Sequence, residues 1–161
     1  MFERETKLSR FMAGYLHKVI GEMTDDQCRQ VTPGALNPPS HVLGHLATSN
    51  DSALRLLGQP AVCPKEWHAL FGPSAIPPNA DLYPKKQELL ERFDAGHAAV
   101  CAAAANATEE AMNQPQPSKI FQDTPINTTG DLVALLMTTH LSLHIGQLSL
   151  MRRQLGHPPL F

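Results

Sequence analysis

Fourteen prolines punctuate this chain, and six of them, Pro60, Pro64, Pro73, Pro77, Pro78 and Pro84, crowd into one stretch. Proline has no N–H to donate and its ring clashes with the preceding helical turn, so a helix must stop at such a cluster. Between the clusters the apolar residues recur every three or four positions. Leu8, Phe11, Met12, Tyr15, Leu16, Val19, Ile20 and Met23 predict a first helix over about residues 3–23, followed by turn or capping chemistry at Thr24-Asp25-Asp26. "TPGALNPPS" forbids helix until Ser40 can cap a second one, running from His41 to about Leu57 and stopped by Gly58 and Pro60. The proline-rich stretch then has room for one short helical turn at "EWHALFG". A third helix starts near Pro84 and continues into an alanine-rich half that allows a neighbour to approach closely. "NQPQPSKIFQDTPINTTG" breaks it, and Thr128 or Thr129, with Asp131 in the first turn, can open a fourth helix reaching Leu155 before Gly156.

No convincing strand pattern interrupts this order. The expected fold is all-α, a four-helix bundle with a long crossover between the second and third helices. A connection of that length lets those two helices run parallel. At 161 residues, one domain spanning 1–161 is expected.

Composition removes several classes of function. A formal net charge of −2 without a Lys/Arg cluster lacks the electrostatic drive for nucleic-acid binding. Cys28, Cys63 and Cys101 are scattered and odd in number, which points to reduced thiols in a cytoplasmic protein and not to a disulfide framework or a thiolate zinc site; none is expected to be a nucleophile. The charged start "MFERETKLSR" has no signal core, and "AAVCAAAANA" is too short to span a bilayer, so no membrane partner is expected.

The chemistry lies in the histidines. Four residues advance a helix by about 400°, so residues at i and i+4 share a face. Two such pairs occur, His41/His45 and His140/His144. Leu132, Leu136, His140, Leu143, His144, Gln147 and Met151 fall on one stripe, and His45 lies among Val42, Leu46 and Leu57, which aims both pairs at the bundle interior. A buried neutral imidazole needs either hydrogen-bond partners or a metal. Three nitrogens, from His45, His140 and His144, would leave at least one coordination position for water or substrate.

"NPPSHVLGHLA" followed far downstream by "HLSLHIGQLSLMRRQLG" closely resembles the DinB-like (YfiT-like) superfamily of four-helix metalloproteins, and the resemblance extends over nearly the whole chain, including "FGPSAIP" and "LYP". It implies that His45 on the second helix, with His140 and His144 on the fourth, are the metal ligands. Characterised relatives include mycothiol-dependent isomerases and bacillithiol transferases, in which the metal ionises a low-molecular-weight thiol. Two departures stand out. His41 occupies a position where many relatives have tryptophan, and Leu141 one where many have glutamate, so no catalytic base carries over and the catalytic residues stay unassigned.

Around the ligands, His41 is expected in a supporting or pocket-wall position. Gln147 either hydrogen-bonds near the metal or is an ordinary amide, and Tyr83 and Trp67 either line a pocket or pin the crossover to the bundle. Arg152 and Arg153 either hold an anionic substrate tail or complement the helix dipole. His17, His68, His97 and His157 show no partner at useful spacing. Neutral nitrogen donors favour zinc or nickel over magnesium or calcium. Two functions fit. One is a divalent-metal-dependent thiol transferase or hydrolase acting on a small molecule, with a low-molecular-weight thiol as cosubstrate. The other is a non-catalytic, stress-related binding or dimerising bundle whose metal is structural or incidental. A homodimer is compatible with either.

Overall fold

The computed structural model describes residues 2–72, 75 and 79–160. Pro73, Pro77, Pro78 and the centre of "FGPSAIP" lie outside the described residues. The proline clusters delimit the helices as the sequence requires: α1 (Glu3–Gly21), α2 (Asp25–Arg29), α3 (Pro39–Leu56), α4 (Trp67–Phe71), α5 (Lys86–Asn106), α6 (Glu109–Met112) and α7 (Thr129–Gln154). No strand forms among the described residues; an isolated antiparallel bridge pairs Pro115 with Thr128.

Each start has a local cause. Thr24 and Gln27 form a reciprocal capping box, so the expected turn at residues 24–26 opens the short helix α2. The second long helix begins earlier than Ser40 allows: Pro39 occupies its first position, where a missing N–H costs nothing, and Ser40 is buried inside. Thr128 caps α7 in a box with Asp131. The first N–H of α5, at Lys86, is held by the Asp25 carboxylate from α2 at 2.8 Å.

The packing order follows from which residues meet. Asn50 Nδ2 donates to the Phe93 carbonyl, a Cβ on Gly96 would lie 2.9 Å from Asn50 Cβ, and further on Leu54 and Leu57 face Ala99 and Ala103. Numbers rise together, so α3 and α5 are parallel, as the long crossover permits. Small residues at Gly96 and along the alanine run are what let the two backbones come this close. By the same reasoning α1 runs parallel to α7, with Phe2 near Gly130 at one end and Glu22 on Arg152 at the other. Between these pairs the direction reverses, because His45 meets His140 while Ala53 and Leu54 pack with Val133.

The main core gathers Leu16, Val19 and Ile20 from α1, Leu43 and Leu46 from α3, Leu89 and Phe93 from α5, and Leu141, Ile145 and Leu148 from α7. Burying each such side chain contributes roughly 1.5–3 kcal/mol. By length and composition α7 could cross a membrane, yet its apolar side packs against α1 and α3.

The expected stripe on α7 needs correction. Val133, Met137, Leu141 and Ile145 are the buried series, spaced by four, whereas Leu143 and Gln147 are exposed. A regular α-helix would rotate such a series off the core by about 40° per step. Leu136–His140 instead form a π turn, whose wider winding keeps the series facing inward. Thr138 contributes, because its hydroxyl donates to the Ala134 carbonyl at 2.7 Å. The turn ends on His140.

Candidate metal centre

α3 and α7 bring together the three histidines that are 95 or more residues apart from one helix to the other. His140 Nε2 lies 3.1 Å from His45 Nε2 and 3.1 Å from His144 Nε2. One nitrogen from each ring falls within 4.8 Å of the others. All three rings are half-buried at the edge of the core, not at its centre.

The outer nitrogens set the tautomers. His45 Nδ1–H donates to the Phe71 carbonyl at 2.9 Å, and His144 Nδ1–H donates to Gln147 Oε1 at 2.8 Å. Both rings therefore present a bare lone pair on Nε2. His140 Nδ1 is buried with no partner among the described residues. The single proton His140 carries in its neutral form cannot fill both 3.1 Å contacts, so lone pairs remain facing one another. A cation resolves that conflict. With bonds of about 2.0–2.1 Å to a tetrahedral ion, ligand nitrogens sit about 3.4 Å apart, close to the separations here. The cluster could hold a metal ion.

Charge on the rings points the same way. Burial, then the neighbouring His144 and His45, push His140 down to about 4, and burial also lowers His144. His41 and His97 are lowered as well, burial again leading. Neutral imidazoles are the form a metal needs. A consequence holds for the metal-free protein. Unfolded histidines return to the ordinary 6.5 and bind protons first, so stability is complete above that pH and falls as pH drops toward 4. Denaturation of chelator-treated protein at about pH 7.5 and about pH 5 should show a lower midpoint in acid; equal midpoints would contradict buried neutral rings.

α4 supports the cluster from the crossover. Phe71 is fully buried and sits against Gly44, where a Cβ would lie 2.5 Å from the ring, so only glycine lets the Phe71 carbonyl reach His45. Trp67 packs edge-on against Phe71 at 5.3 Å and pins α4 to the bundle. His41 is buried, 3.3 Å from the Tyr83 hydroxyl through Nδ1 and edge-on to Phe71 at 5.7 Å. His41 and Tyr83 thus back the wall that holds His45. Burial pushes the Tyr83 hydroxyl up to about 12.

A cavity of about 910 Å³ opens beside His45 and His140, lined also by Ser49, Ser52, Arg55 and His68. His68 is one of the residues that sequence reading missed. Its Nε2 lies 3.1 Å from the buried Asp51 carboxylate, which also accepts from the N–H groups of Val62 (2.7 Å) and Cys63 (3.1 Å). The other histidines have local duties: His17 pairs with Asp94, His97 with Ser9, and His157 with Gln27. Arg152 is buried and occupied by Glu22 and the Pro158 carbonyl, so it is a structural tie and no substrate anchor. Burial raises all three thiols, Cys28 to about 11 and Cys63 to about 12, which keeps them protonated at neutral pH.

Fold and cluster together define an all-helical protein with three convergent imidazoles able to hold a metal ion beside a cavity. The chain belongs to the DinB superfamily, whose family model matches residues 10–148, a span that includes all three histidines. A comparison with curated proteins found no match.

Proposed function

We propose that this protein is a divalent-metal-dependent enzyme in which His45, His140 and His144 hold zinc or nickel, and that it acts on a small molecule as a thiol transferase or hydrolase. The observation that carries the reading is the meeting of three imidazole nitrogens beside a cavity that His45 and His140 line. When bound, the ion would lower the pKa of a thiol or water in the cavity and so supply a nucleophile near neutral pH. The chain's own part is positional. Phe71 and Gln147 fix the proton of their partner rings on Nδ1, leaving Nε2 bare. Leu141 is buried in the core, and no Asp or Glu lines the cavity among the described residues, so no carboxylate is at hand as a base. A low-molecular-weight thiol as cosubstrate, a homodimer and a cytoplasmic location complete the proposal.

Protein purified without contact with nickel resin, analysed for metal and then assayed for thiol conjugation and hydrolysis, tests it. Bound zinc or nickel with either activity is the expected result. A chain that retains no divalent metal overturns the reading, and a loaded protein inert in every assay transfers it to the non-catalytic bundle. His41→Phe separates support from ligation: because His41 faces Tyr83 and Phe71, the variant should keep its metal content, and metal loss would make His41 a fourth ligand.

A further inference from the structure

From its histidine end the cavity runs along one face of α3, past Thr48, Ser49 and Ser52 to Arg55. Arg55, an exposed residue, is the one side chain of fixed charge lining it among the described residues, and none of these forms an ion pair or hydrogen bond with its guanidinium. Asp51, one turn earlier, is not its partner: that carboxylate is taken by Val62, Cys63 and His68. The facing wall is mainly apolar, with Ile120, Phe121, Leu132 and Leu136 interrupted by Ser118 and Thr129. The hydroxyls between the two ends all donate inward. Thr48 donates to the Gly44 and His45 carbonyls, Ser49 to His45 and Ser52 to Thr48, so toward the cavity they offer only lone pairs.

The geometry points to a ligand with a carboxylate tail on Arg55, N–H or O–H groups along the hydroxyls, an apolar flank, and its reacting group at the histidines. Only the last element rests on the function proposed above. Ten residues of helix separate the ends by about 15 Å, and side chains lean toward the helix start, so the ligand spans on the order of 10–15 Å. A basic last turn that merely complements the helix dipole would show no preference for an acid of that length.

Cobalt(II)-loaded protein provides the test, because a thiol bound to cobalt gives a sulfur-to-metal charge-transfer band without turnover. Mercaptooctanoate should bind about tenfold more tightly than the neutral mercaptooctanol, the effect of one charge-assisted contact in a wet cavity. Arg55→Gln should abolish the difference and Arg55→Lys keep part of it. Equal affinities in the parent, or a preference that survives Arg55→Gln, overturn the assignment. If cobalt is retained and neither thiol gives the band, the thiol reading fails while the tail site is still tested: octanoate should bind the metal-free parent in calorimetry and not Arg55→Gln. Equal binding, or none to the parent, overturns it.

Discussion

His140→Ala is expected to weaken metal binding by more than about a hundredfold, beyond the 10–100-fold typical of losing a residue that only orients a ligand. His140 is the nitrogen common to both 3.1 Å contacts, so its removal leaves His45 and His144 without the third donor that closes the triangle. His45→Ala and His144→Ala should fall in the same class, whereas His97→Ala, whose ring serves Ser9, should keep full metal content. The folded state should not pay for the change at 140. Its Nδ1 is buried with no partner among the described residues, and removing that unsatisfied atom offsets the lost Nε2 contact, so the net change is expected to stay within about 1 kcal/mol. Metal per chain after dialysis, read beside the denaturation midpoint of the chelated variants, separates loss of a ligand from loss of fold. Equal metal content in all four variants would refute the cluster.

What the sequence made legible was what is local or periodic. His140 and His144 share one helix, and four-residue spacing alone places them on a common face. His45 could be placed on the inward side of its helix from its apolar neighbours, but only the family resemblance raised it from an ordinary buried histidine to a ligand, since nothing in its own helix signals a partner 95 residues away. The π turn left a trace, the unbroken four-residue spacing of Val133, Met137, Leu141 and Ile145, but a regular 3.6-residue period puts Leu143 and Gln147 inward instead. Arg152 read as a substrate anchor or a complement to the helix dipole because its partner Glu22, just past the end of α1, is 130 residues away. Arg55, Asp51 and His68 carry no motif at all. Their roles arise where an irregular, proline-rich segment folds back on α3, and irregular backbone has no period from which to read a face.

That fold-back rests on Asp51, and Asp51→Ala should be the most destabilising single change away from the apolar core. The carboxylate is 1% exposed with both oxygens engaged: Oδ1 accepts from Val62 N–H, and Oδ2 from Cys63 N–H and His68. Alanine leaves two backbone donors and an imidazole facing a void that cannot satisfy them, at about 3–5 kcal/mol. For a chain of this size that corresponds to a fall in Tm of about 10 °C. Asp51→Asn should recover little, because an amide offers one acceptor oxygen and turns its NH₂ toward groups that are themselves donors. The effect should reach the metal centre. The Val62–Cys63 anchor leads directly into α4, and α4 carries the Phe71 carbonyl that orients His45. Metal affinity should therefore drop about tenfold in Asp51→Ala although no ligand has been touched. Urea denaturation combined with metal titration of the folded variant checks both halves. An unchanged midpoint would mean that the crossover is held to α3 by something other than this carboxylate, and an unchanged affinity that His45 keeps its orientation without α4.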